Sequence, residues 1–237
     1  MTVDEIKDNF KKVHDEIHEA EAKAGRAQGS VQLCAVSKFH PVEDICAAME
    51  TGQLLFGENR VQEACAKFGE LQAAGKDYSL HIIGALQLNK VKKAAEIATC
   101  IESADREELL AELEKHCARL GKTMEVYFEL HTGEDSKSGY PDESALMLSA
   151  RHCAEGLYPH IVPAGLMTMA PFTADEKEIR KSFSALRALQ EKLRSEFPML
   201  RIDALSMGMS GDFRIAIEEG STEVRIGTAL FGARAQA

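Results

Sequence analysis

Cysteine pairs at C-x-x-C spacing are missing from this sequence, and so is any histidine pair placed to share a metal with them. The six cysteines, Cys34, Cys46, Cys65, Cys100, Cys117 and Cys153, stand singly, several in apolar runs. A zinc ribbon and a disulfide framework are thereby excluded, and buried thiols in a reducing cytoplasm are expected. No apolar run approaches the ~20 residues of a membrane span, and the acidic, amphipathic N-terminus is not a signal peptide. Basic residues are in deficit, 28 Lys and Arg against 38 Asp and Glu, so neither nucleic acid nor an anionic membrane is expected as a partner. Nor does a G-x-G-x-x-G follow the first strand-like segment, which argues against an open dinucleotide-binding sheet. Without a linker or low-complexity stretch, residues 1–237 are expected to form a single domain, monomeric and cytoplasmic, with no metal.

What is present is a regular alternation. Ile6, Phe10, Val13 and Ile17 at helical spacing predict an amphipathic N-terminal helix, ended by Gly25 to Gly29. Strand-type segments follow at Val31–Ser37, Leu54–Gly57, Tyr78–Gly84, Cys100–Ser103, Met124–Leu130, Ile161–Met167, Ile202–Met207 and Val224–Ile226. Every one but the last is followed by a predicted helix, among them Val42–Thr51, Leu88–Ala98, Asp175–Glu196 and Asp212–Glu219. Eight such units predict an α/β fold, a (β/α)8 TIM barrel with an extra N-terminal helix.

A barrel of this kind gathers the C-terminal ends of its strands on one face, so residues distant in sequence converge there. Lys38 follows the first strand, Asn59 the second, and His81 lies in the third. Met167 and Met169 belong to the sixth, Ser206, Met209 and Ser210 to the seventh, and Arg225 to the eighth. Two late loops, Gly208-Met-Ser-Gly211 and Gly227-Thr228, combine small residues with hydroxyls, and their open backbone amides suit a phosphate dianion. A lysine at the mouth of an apolar barrel can be desolvated, and its free amine then attacks carbonyls. Arg225 interrupts an apolar strand and must find a partner, either a carboxylate such as Glu58 or a ligand nitrogen. Together these groups fit pyridoxal 5′-phosphate (PLP) bound as a Schiff base. A class I aldolase acting on a phosphorylated sugar needs many of the same groups.

The motifs Ala35-Val-Ser-Lys38, Phe56-Gly-Glu-Asn59, His81-x-x-Gly84, Leu86-Gln-x-Asn-Lys90, Ser136-Lys-Ser-Gly139, Gly165-Leu-Met167, Leu205-Ser-Met-Gly-Met-Ser210 and Val224-Arg-Ile-Gly-Thr228 occur in that order. In this the chain resembles the pyridoxal phosphate homeostasis protein family, single-domain relatives of the alanine racemase N-terminal barrel, from Val31 to Arg234. The resemblance implies Lys38 as the Schiff-base lysine, Ser210, Gly227 and Thr228 as phosphate contacts, Arg225 facing the pyridine nitrogen, and Asn59 near the cofactor. Ala85 replaces an expected proline, Arg60 a frequent tyrosine, and Glu129-Leu-His-Thr132 a more usual polar run.

An arginine beside the pyridine nitrogen keeps that nitrogen unprotonated and the ring a weak electron sink. Racemases of this fold type add a catalytic base from a second domain, and none is expected here, with the sequence closing at Ala237. A carrier that holds PLP and delivers it to apo PLP-dependent enzymes is therefore expected in preference to an efficient enzyme. The alternative is a weak amino-acid racemase using a base from the barrel rim. A second amine, Lys137 in the fifth loop, is expected to assist transfer of the aldehyde.

Overall fold

The computed structural model describes residues 1–133 and 138–232 of the chain. Its first element, α1 (Val3–Lys23), opens with a reciprocal cap: Thr2 Oγ1 accepts from the Glu5 amide at 3.2 Å, and Glu5 Oε2 accepts from the Thr2 amide at 2.7 Å. Such a box satisfies two of the donors that a helix start leaves open. The stripe Ile6, Phe10, Val13 and Ile17 is buried along its length. At the far end the Glu21 carboxylate, fully buried, accepts from the Val31 amide at 2.7 Å and the Gly29 amide at 3.0 Å. That carboxylate fixes where the chain enters the barrel.

The barrel strands are β1 (Gln32–Val36), β2 (Leu55–Glu58), β3 (Ser79–Ile82), β4 (Cys100–Ala104), β5 (Met124–Glu129), β6 (Ile161–Met167), β7 (Ala204–Ser206) and β8 (Glu223–Ile226). All neighbours pair in parallel, and the sheet closes where Leu33 meets Val224 and Cys34 meets Arg225. Alternating with them are α2 (Val42–Met49), α3 (Val61–Ala73), α4 (Val91–Ile97), α5 (Glu107–Leu120), α6 (Glu143–Ala154), α7 (Glu176–Glu196) and α8 (Phe213–Glu218). Their apolar faces bury against the outside of the sheet; α7 contributes Ile179, Phe183, Leu186, Leu189 and Leu193. This is the expected (β/α)8 architecture. Among the described residues no helix is long and apolar enough to cross a membrane.

The structure departs from the predicted elements in two places. Leu88–Lys90 is a 3-10 turn, and regular helix begins only at Val91. After β8 comes a short helix, α9 (Thr228–Phe231), that the sequence reading lacked. Four residues are too few to show a helical period. Its Phe231 meets Phe10 edge to face at 5.6 Å, and Asn9 donates to the Leu230 carbonyl at 3.0 Å, so α1 straps the seam between β1 and β8.

Candidate functional site

A cavity of about 460 Å³ opens at the C-terminal ends of the strands. Lys38, Asn59, Met209, Ser210, Arg225, Gly227 and Thr228 all line it, joined by Val36, His40, Ile83, Gly84, Glu129 and Met169. Each comes from the end of a strand or the loop after it, where side chains of one parity point inward. Space is tight around the wall: a Cβ on Gly84 would lie 2.6 Å from the Asn59 carbonyl oxygen, so glycine there is what lets the third loop close on the second.

The loop after β7 turns at Gly208, whose φ is +99°, and a Cβ there would meet Ala216 at 2.6 Å. Asp212 Oδ1 accepts from the Met209 amide at 2.6 Å and holds the loop in shape. Among the described residues no acceptor takes the amides of Ser210 and Gly211, or those of Thr228 and Ala229 across the cavity rim. A Cβ on Gly211 would meet no protein atom within 4 Å, and its φ is unexceptional. Two sets of open amides with the hydroxyls of Ser210 and Thr228 make an anion cradle.

Arg225 rises from β8 at the base of the cavity. Its Nη1 donates to the Ser206 carbonyl and hydroxyl oxygens, both at 2.7 Å, and its Nη2 donates to the Thr168 carbonyl at 2.8 Å. Among the described residues no acceptor takes its Nε–H. Glu58 is not its partner, contrary to one expectation. That carboxylate lies on the opposite parity of β2, outside the barrel, against Lys67 at 2.5 Å and the Ser37 hydroxyl at 2.6 Å.

His81, Met167 and Ser206 do not line the cavity. His81 and Met167 each stand two residues before a cavity-lining position, Ile83 and Met169, hence about 7 Å deeper along the strand, and all three lie in a closed interior layer. There His81 Nδ1 contacts Glu102 Oε1 at 2.7 Å, and the Ser206 hydroxyl donates to Glu102 Oε2 at 2.5 Å. Glu223 lies 3.7 Å from His81 and accepts from the Tyr127 hydroxyl at 3.4 Å. Met167 packs beside Cys100 and Tyr127. Burial works against a charged imidazole, but the hydrogen bond to Glu102 and the nearby Glu223 carboxylate outweigh it and hold His81 at about 10. Burial and then the neighbouring Glu102 charge push Glu223 up to about 7. Burial would raise Glu102 too, yet His81 and Arg225 bring it well below the usual carboxylate range.

This layer was not foreseen from the sequence. Its signal was parity: Glu223 shares the inward face with Arg225 two residues on, as His81 does with Ile83. Glu129 and His40 were also missed as wall residues. The Ser138 hydroxyl donates to Glu129 Oε1 at 2.7 Å, and His40 Nδ1 lies 3.2 Å from Asp44. Lys137, the expected second amine, lies outside the described residues.

PLP fits the donor set on this chain's own features. Asn59 lines the cavity, and its Oδ1 is buried with no partner among the described residues. The open loop amides suit the phosphate, the Arg225 Nε–H suits a ring nitrogen that accepts, and Lys38 supplies an amine in the same cavity.

Comparison with known proteins agrees. The alanine racemase N-terminal domain matches residues 3–235. A pyridoxal phosphate homeostasis protein of Vibrio cholerae is 39% identical, with 97% of this chain and 96% of that protein covered. PipY of Synechococcus elongatus, solved with PLP bound, is 36% identical over 91% of this chain and all of that one, with a TM-score of 0.80. Alanine racemase from Bacillus anthracis shares the fold at 18% identity and a TM-score of 0.70, and this chain spans 57% of its length. On sequence and fold together, the chain belongs to the pyridoxal phosphate homeostasis protein family.

Proposed function

We propose that this protein binds PLP in the mouth cavity through Lys38, holds it reversibly, and releases it to PLP-dependent enzymes in the cytoplasm. The supporting observation is Arg225. Its guanidinium donates to oxygens of Ser206 and Thr168, with Glu102 Oε2 3.9 Å from Nη1, and no acceptor among the described residues takes its Nε–H. A permanent cation there disfavours a proton on the ring nitrogen. When bound, the cofactor supplies an aldehyde that condenses with an amine, and a ring that draws electrons weakly while its nitrogen stays unprotonated. The chain's residues have separate tasks. Ser210, Gly227 and Thr228 hold the phosphate, Asn59 accepts from a ring substituent, and Lys38 provides the amine. Met209, partly exposed at the rim, covers the ring. Ser206 acts from beneath through Arg225, and His81 through the Glu102 carboxylate that Ser206 also meets.

A second reading, a weak amino-acid racemase, draws on Glu129 and His40, two proton-exchanging groups that line the same cavity. The purified protein is expected to be yellow, and Lys38→Ala to remain folded while losing both the colour and the borohydride-trapped adduct. An adduct of equal occupancy in Lys38→Ala would place the reactive amine elsewhere. Incubation of the loaded protein with single amino-acid enantiomers separates the two readings, since sustained inversion would favour the racemase.

A further inference from the structure

The chain on either side of Lys38 is gripped by three charged side chains that take no part in the cavity. Ser37, at the end of β1, is fully buried. Its hydroxyl donates to Glu58 Oε1 at 2.6 Å, and its carbonyl accepts from Lys67 Nζ at 2.8 Å. Phe39 donates its amide to Glu63 Oε1 at 2.5 Å. Phe39 is also the one non-glycine residue with positive φ among the described residues, at +68°, and its ring lies 5.5 Å from the Arg60 guanidinium. A bulky side chain takes up that conformation only where its surroundings over-determine it.

Lys67 joins the two halves of the grip. Its ammonium reaches Glu58 Oε1 at 2.5 Å, Glu63 Oε1 at 2.9 Å and the Ser37 carbonyl, one acceptor for each of its three donors. The cluster is poorly explained as a stabilising device. Glu58 is fully buried and its Oε2 has no partner among the described residues, while burial of an ion pair rarely improves on apolar packing of the same volume. What the cluster does specify is geometry. With residues 37 and 39 both tied to it, the Cα of Lys38 and the direction of its side chain are fixed relative to α3, which carries Glu63 and Lys67.

We propose that Lys67, with Glu58 and Glu63, is the positioning device that aims the Lys38 amine into the cavity, so that substitutions far from the phosphate cradle control adduct formation and leave phosphate binding alone. This rests on the reading of Lys38 given above. The experiment compares PLP with pyridoxine 5′-phosphate, which carries the same phosphate and ring but no aldehyde. Two variants are used: Glu63→Leu at the edge of the cluster, and the double replacement Glu58→Leu with Lys67→Met, which removes the ion pair as a unit. Stopped-flow absorbance gives the rate and pH profile of adduct formation, calorimetry gives both affinities, and borohydride trapping with peptide mass analysis locates the adduct.

The expected result is adduct formation slowed by about tenfold or more in each folded variant, with pyridoxine 5′-phosphate affinity held within about twofold of the parent. Parent-like adduct rates in Glu63→Leu would overturn the proposal, and so would parallel losses for both ligands, the mark of a general structural defect. Should the double variant fail to fold, Glu63→Leu decides alone, because it leaves the Lys67–Glu58 pair in place. An adduct found on a residue other than Lys38 in the parent protein would instead overturn the reading on which the proposal rests.

Discussion

Glu223→Gln is expected to stabilise this protein in mild alkali, although it removes a charge from a buried network. Burial and the Glu102 charge raise the Glu223 carboxyl from an ordinary 4.5 to about 7. The folded state therefore holds that proton more tightly than the unfolded chain. The associated stability is complete below pH 4.5 and is lost as the pH rises through 7. Above that range an ionised Glu223 costs the folded state about 3 kcal/mol, a cost glutamine does not carry. At about pH 5 the same bookkeeping leaves less than about 1 kcal/mol between the two proteins. For a chain of this size, about 3 kcal/mol moves the melting temperature upward by roughly 6–12 °C. His81, raised to about 10 in the parent, keeps its nearer partner, Glu102 at 2.7 Å, in the variant. Thermal melts by circular dichroism at about pH 5 and about pH 8.5 measure the difference directly. Glu102→Gln serves as the opposite arm. It deprives charged His81 of its closest acceptor, 2.7 Å away, and is expected to cost about 3 kcal/mol or more at both pH values. Equal melting shifts for Glu223→Gln at both pH values would refute the argument, since no titration could then underlie them.

Replacing Ser210 with Ala and Thr228 with Val is expected to weaken PLP far more than pyridoxal, by on the order of 1.5–3 kcal/mol for each charge-assisted hydrogen bond lost. Equal losses measured by calorimetry would move the phosphate elsewhere. Gly84→Ala should displace the Asn59 backbone, which an added Cβ would approach to 2.6 Å, costing about 1–3 kcal/mol in urea unfolding and weakening PLP binding. Phe10→Ala, at a fully buried position against Phe231, is expected to cost about 3–5 kcal/mol in the same assay.

The barrel was legible because its signal is local and repeated: short apolar segments bounded by small residues, each followed by a helical period. Convergence of Lys38, Asn59, Ser210, Arg225 and Thr228 on one cavity followed from topology alone, because parallel strands deliver their ends to one face. Depth was harder to read. His81 and Ser206 lie on the inward face as expected, but whether an inward residue reaches the mouth depends on strand stagger, which sequence spacing does not carry. Parity could have corrected the Arg225–Glu58 pairing, since Asn59 faces the cavity and its neighbour Glu58 must face out. Lys67 carries no signal of its role in the sequence, since nothing local distinguishes it from the exposed lysines of other helices.

The seam between β1 and β8 gives the cavity a property that neither strand has alone. Lys38 belongs to the chain's first βα unit, whereas Arg225, Gly227 and Thr228 belong to its last, and the two meet only where the barrel shuts. A ligand held by both acts as a bolt across the last join in the molecule. Its binding energy is delivered to the contact with the greatest separation along the chain, which costs the most entropy to form. Amide exchange in loaded protein should therefore slow first in β1, β8 and the strap helix α1, and least in β4 and β5 on the far wall. Supply of the ligand would then set how long the barrel stays shut, as well as how much of the protein is loaded.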